Sequence, residues 1–176
     1  MKTVEIFTKE RCEELIRFSE ELGYEDAPVT TSSGPVMMKN YRNNERVIHF
    51  SKDLAEEIFE TIKDEVPFIL GFEPIGLNEM FRFYKYGKGH FFNQHRDGPY
   101  IRNSQEASHV TLLIYLNEDY DGGETAFKDP GQEDFVSLTP KTGMGCMFIH
   151  KKLHRGNEVL DGIKYAIRTD IMYRLK

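Results

Sequence analysis

Up to about residue 66 the apolar positions recur at helical spacing, and from Leu77 onward they alternate with a period of two. Val4 to Phe7 reads as a short strand. Thr8 then offers an N-cap oxygen to a helix over Lys9 to Leu22, with Cys12, Leu15, Ile16 and Leu22 on one stripe and Gly23 as its stop. Tyr24 to Asn44 is irregular, most of all at Thr30-Thr31-Ser32-Ser33-Gly34-Pro35. Ser51 caps a second helix whose Leu54, Ile58, Ile62 and Val66 oppose Glu56, Glu57 and Lys63, with a bend at Pro67. The alternating segments are Leu77–Tyr86, Phe91–His95, Val110–Asn117, Thr125–Lys128, Phe135–Thr139, Gly145–His150 and Lys164–Arg174. Gly, Asp, Asn and Pro clusters separate them, and no helical pattern intervenes. The expectation is an α+β arrangement: an antiparallel sandwich or jelly roll buttressed by N-terminal helices.

Composition narrows the class without naming a function. At 176 residues, the chain can bury a core as one domain, with the helical layer over about 1–76 and the β core over about 77–175. Hydrophobic residues make up 39% and charged ones 30%, so neither disorder nor a membrane span is expected. Acidic Glu5 arrives before any apolar run, unlike a signal peptide. A net charge of −6 argues against a general nucleic-acid binder. Two cysteines, Cys12 and Cys146, form neither a disulfide framework nor a zinc spacing. Buried free thiols and a cytoplasmic location fit best.

The chemistry starts at His95-Arg96-Asp97. On an extended strand, residues i and i+2 share a face, with Cα atoms roughly 6.5–7 Å apart, so an imidazole and a carboxylate can reach one ion. Alone, such a pair is common. His154, in a run His154-Arg155-Gly156-Asn157-Glu158-Val159 followed by Lys164, would add a second imidazole. Two histidines and one carboxylate leave open positions on an octahedral ion, as non-haem iron(II) oxygenases need. A structural zinc site would close its coordination, usually with cysteine.

Three ordered motifs resemble the iron(II)- and 2-oxoglutarate-dependent dioxygenases of the prolyl 4-hydroxylase-like branch. Tyr86 to Asp97 is similar to Y-x-x-G-x-x-Y/F-x-x-H-x-D, and Val110 to Asn117 with Gly122-Gly123-Glu124-Thr125 to V-T-x-x-x-Y-L-N…GGET. The third is H-x-G-x-x-V…K from His154 to Lys164. The resemblance covers roughly residues 77 to 175. It implies a double-stranded β-helix with iron(II) on His95, Asp97 and His154. Lys164 would hold the distal carboxylate of 2-oxoglutarate, helped by Tyr86 and Tyr115, with Thr111 a weaker candidate on the Tyr115 face. It also implies O2 as oxidant, ascorbate as a reductant, and hydroxylation of an unactivated C–H bond with release of succinate and carbon dioxide. Asp97 stands where the related halogenases carry a small residue.

Arg168 departs from the family pattern, because many relatives are neutral there. Sharing a strand face with Lys164, it is expected to assist Lys164, to contact a substrate carboxylate, or to pair with a surface acid. Arg42 and Arg46, in the polar run Arg42-Asn43-Asn44-Glu45-Arg46, and the loop residue His90 are candidate substrate contacts or solvated side chains. His150 rivals His154 as distal ligand but lacks its glycine and lysine spacing. His49 and His109 read as structural, and Phe81, Phe83 and Tyr84 as sheet core. The substrate is a peptide or protein, or else a free amino acid or small carboxylate metabolite. A zinc or manganese hydrolase or lyase would have no use for Lys164, and a non-catalytic jelly-roll binding module no use for the facial triad.

Overall fold

In the computed structural model, which describes residues 1–31 and 33–176, helix α1 (Lys9–Leu22) follows strand β1 (Lys2–Glu5). Its cap is the expected one: Thr8 accepts from the Arg11 N–H at 3.3 Å, and Gly23 adopts φ 83° at the far end. The stretch expected to be irregular holds short strands β2 (Glu25–Asp26), β3 (Val29–Thr31) and β4 (Gly34–Val36). The last two pair antiparallel, while Ser32 of the loop-like run lies outside the described residues. Strand β5 (Glu45–Phe50) then precedes α2 (Lys52–Ile62), which Ser51 caps by accepting from the Leu54 N–H at 3.1 Å.

After a 3-10 turn at Lys63–Glu65 the remaining elements are strands: β6 (Phe72–Leu77), β7 (Met80–Tyr86), β8 (Phe92–His95), β9 (Glu106–Tyr115), β10 (Asp121–Gly122) and β11 (Thr125–Lys128). After them come β12 (Val136–Leu138), β13 (Met144–Ile149), β14 (Leu153–Gly156), β15 (Val159–Asp161) and β16 (Lys164–Leu175). The run read as one strand from Leu77 is two, broken at Asn78, whose N–H donates to the Asp170 carbonyl and whose side chain accepts from Met80. Neither β5 nor β6 was expected. Glu45, Arg46 and His49 mask the alternation of β5, and Pro74 and Gly76 interrupt that of β6. Both exist because β7 and β16 pair with them.

Among the described residues the larger sheet has eight strands, ordered β1-β13-β9-β16-β7-β5-β2 with β6 also on β16; the smaller has four, β12-β11-β14-β8. Alternation gives the larger sheet two faces. One carries Phe81, Phe83, Leu112, Ile114, Ile167 and Ile171 against Cys12, Leu15, Leu54, Ile58 and Ile62 of the helices. The other turns Tyr115, Cys146, Phe148 and Ala166 toward Phe127 of the smaller sheet. This is the expected jelly roll, its helices covering one outer face. The two cysteines are buried free thiols on opposite faces, and burial raises Cys12 to about 11 and Cys146 to about 12.

Candidate metal and cosubstrate site

His95 ends β8 and His154 lies on β14, directly opposite it in the antiparallel pairing of the smaller sheet. Asp97 follows β8, where its N–H donates to the His150 carbonyl at 2.9 Å. His95 Nε2 is 3.9 Å and His154 Nε2 3.7 Å from the Asp97 oxygens, and one ligand atom from each residue lies within 4.8 Å of the others. Each Nδ1 faces a carbonyl, of Asn93 at 2.7 Å and of Lys152 at 3.0 Å. A carbonyl can only accept, so each Nδ1 carries the proton and each Nε2 offers its lone pair to the cluster.

Protonation suits a cation. Burial and the neighbouring His154 lower His95 to about 3, and burial also lowers His154. Burial alone would raise Asp97, but the Arg168 guanidinium and the two imidazoles hold its carboxyl well below the usual range. Two neutral imidazoles and one carboxylate, each held from behind, are donors that an iron(II) ion fits.

Asp97 ends a directed hydrogen-bond chain. Thr111 donates to its Oδ2 at 2.6 Å, so the Thr111 oxygen must accept from His150 Nδ1, 2.9 Å away. His150 Nε2 in turn accepts from Ser108 at 2.9 Å, and the Ser108 oxygen accepts from the Tyr100 N–H at 2.7 Å. The hydroxyl of Thr111 is therefore directed at the carboxylate rather than at a cosubstrate. His150 sits behind Asp97 and lines no part of the cavity.

The triad opens into a cavity of about 490 Å³ that Lys164, Tyr86, Thr125 and Gly156 also line. Lys164, only 3% exposed, stands directly across from Tyr86 on β7. Its ammonium donates to the Gly123 carbonyl at 2.6 Å and lies 5.3 Å and 5.4 Å from the ring centres of Tyr86 and Tyr115. Burial lowers it to about 8, with Glu124 acting the other way. One of three N–H bonds is used, leaving two for an anion. Tyr115 is placed differently. Fully buried, it donates to Thr125 at 2.8 Å and lies beneath Lys164 rather than on the cavity wall.

Among the described residues five arginines line the cavity: Arg42, Arg46, Arg82, Arg96 and Arg168. Arg168, on the Lys164 face, is 3.3 Å from the half-buried Asp97 and 3.0 Å from the buried Asp170, so its partners are acids within the site and not a surface one. Arg82 and Tyr84 line the cavity from the Tyr86 face of β7, although Tyr84 had read as sheet core. Parity carried the signal for both, since 82, 84 and 86 share one side of the strand. Arg42 and Arg46 are also on the wall. His90 is not; its Nδ1 accepts from the Gly87 N–H at 3.1 Å and closes that loop. His49 packs edge-on against Phe18, and His109 against Phe72 and Tyr173.

Residues 81–169, just over half of the chain, match the 2OG-Fe(II) oxygenase superfamily. The chain belongs to that family. As a member, it takes iron(II) and 2-oxoglutarate. Two curated relatives are PKHD-type hydroxylases. One, from Picosynechococcus sp., is 22% identical over 165 residues, covering 93% of this chain and 73% of its own. The other, from Prochlorococcus marinus, is 24% identical over 148 residues, covering 84% and 66%. Among solved structures, a Trichoplax adhaerens prolyl hydroxylase in complex with a hypoxia inducible factor peptide fragment superposes with a TM-score of 0.73 at 15% identity, over 97% of this oxygenase and 82% of that chain. A Pseudomonas putida prolyl-4-hydroxylase gives 0.67 at 17%, over 99% and 92%. These likenesses share the jelly-roll fold.

Proposed function

We propose that residues 1–176 act as one domain that hydroxylates an unactivated C–H bond, in the manner of the prolyl hydroxylases it resembles. The observation carrying this is the meeting of His95, Asp97 and His154 with the buried Lys164 in one cavity. The three would hold iron(II), Lys164 would pair with the distal carboxylate of 2-oxoglutarate, and Tyr86 would flank that cosubstrate. Bound iron supplies the coupling of O2 and 2-oxoglutarate to C–H hydroxylation, with succinate and carbon dioxide as co-products and ascorbate as auxiliary reductant.

The protein's own residues orient and exclude. The Asn93 and Lys152 carbonyls fix the imidazole tautomers. Thr111 and Arg168 hold Asp97 ionised and in place. Phe92, Phe127 and Phe148 pack on the histidine rings and keep water from their outer side. The buried free thiols support a reducing, cytoplasmic setting.

Anaerobic iron(II) plus 2-oxoglutarate should give a weak visible charge-transfer band that His154→Ala abolishes. Absence of the band from folded, metal-loaded wild-type protein would refute the reading.

A further inference from the structure

Acids and bases in the cavity do not balance. Among the described residues its wall carries Lys164, Arg42, Arg46, Arg82, Arg96 and Arg168 against only Asp97 and Asp170. Iron(II) and the 2-oxoglutarate dianion cancel one another, so loading both leaves the surplus untouched. Lys164 is committed to the cosubstrate in the proposed function, on which this inference rests. Arg168 is committed to Asp97 and Asp170. Arg96 is exposed, with its Nε on the Lys151 carbonyl. That leaves Arg42, Arg46 and Arg82.

These three surround Tyr84. Arg46 faces Tyr84 across the β5–β7 pairing, and Arg82 precedes it by two residues on the same face. The Arg42 guanidinium lies 4.7 Å from the Tyr84 ring centre and 4.4 Å from that of Phe92, and its Nε donates to Asn44 at 2.6 Å. Stacked and anchored, that fork is set before any ligand arrives. Arg42 is 5% exposed, yet its Nη2 is buried without a hydrogen-bond partner, as is Arg82 Nη1. Among the described residues neither Arg42 nor Arg46 has an acid within 4.0 Å. Arg82 has one, Asp170 at 3.5 Å, which Arg168 shares. A buried charged donor left without a partner is destabilising, and an incoming anion would offset that cost. A neutral prolyl peptide would leave the cluster unpaired.

We infer that Arg42, Arg46 and Arg82 form a second anion subsite, separate from Lys164, and that the substrate is anchored there by a carboxylate. The carboxylate belongs to a free acid or to an acidic side chain of a peptide, and the planar fork of Arg42 suits either. Because Arg82 is held toward Asp170, six residues beyond Lys164 on β16, the subsite addresses a different group from the cosubstrate's distal carboxylate.

The test uses zinc-loaded protein saturated with 2-oxoglutarate, which binds without turning over. Acetate and acetamide are titrated while the arginine Nε–H resonances are followed, and acetyl-Gly-Glu-Gly-amide is compared with its Gln counterpart. Acetate should shift the Arg42, Arg46 and Arg82 signals saturably and acetamide should not. A response to the Glu peptide but not the Gln peptide, at lower concentration than acetate, assigns the carboxylate to a peptide side chain; the reverse order assigns it to a free acid. Arg46→Gln should weaken acetate about tenfold, the worth of one charge-assisted contact, with 2-oxoglutarate affinity unchanged. Arg82→Gln should do the same, guarding against a folding artefact at either site. The subsite is overturned if acetate shifts nothing, or if either variant loses 2-oxoglutarate affinity by the same factor. Failure of 2-oxoglutarate to bind the zinc protein would instead overturn the oxygenase reading beneath it.

Discussion

Lys164 makes 2-oxoglutarate binding depend on pH in a direction the structure dictates. Burial holds its ammonium at about 8 in the ligand-free protein, and only the protonated form can pair with a carboxylate. Affinity should therefore be full below that value and lost as pH rises through it. Roughly nine-tenths of the lysine is protonated one unit below its pKa and one-tenth one unit above, so Kd should rise about tenfold from pH 7 to pH 9, or ~1.4 kcal/mol. Above pH 8 binding should also take up a proton, because the bound anion raises the lysine again. Calorimetry on manganese-loaded protein, in buffers of different ionisation enthalpy, reads both effects. Lys164→Met should remove the slope and weaken binding at neutral pH by about 10- to 100-fold, the worth of a charged hydrogen bond. A flat Kd over that range with no proton uptake, or an unchanged slope in the methionine variant, would refute the assignment.

Thr111→Val keeps the shape of the side chain but removes the donor to Asp97 and the acceptor for His150. Metal affinity should fall about 10- to 100-fold with the fold intact, measured by manganese titration and circular dichroism, and an unchanged Kd would deny Thr111 its orienting role. Gly123→Ala puts a side chain where φ is +66°, 2.9 Å from Val159 Cγ2, on the residue whose carbonyl receives Lys164. Urea denaturation should show a loss of about 1–2 kcal/mol, and 2-oxoglutarate affinity should fall more than metal affinity. Gly143→Ala would drive a Cβ into the Phe7 carbonyl oxygen, where the Ile6 and Phe7 N–H groups reach the Gly143 oxygen. It should lower the melting temperature while leaving metal affinity in the remaining folded protein unchanged.

Local chemistry and short-range spacing were legible in the sequence. Thr8 and Ser51 mark their helices because a capping hydroxyl acts within three residues. The alternation from Leu77 onward declares a two-faced sheet, and the spacing of His95, Asp97, His154 and Lys164 carries the family likeness. Strands β5 and β6 were hidden, since their own residues break the alternation and partner strands impose the extended form. The same holds at the site. Whether Thr111 faces a cosubstrate or Asp97, whether Arg168 meets Lys164's anion or the two acids Asp97 and Asp170, and whether Tyr115 lines the cavity or lies under it are questions of which strands become neighbours. Parity assigns a side chain to a face, but only register and the packing of one sheet on the other decide what it meets there. Arg42, Arg46 and Arg82, set apart in sequence and gathered around Tyr84, owe their common address wholly to that packing.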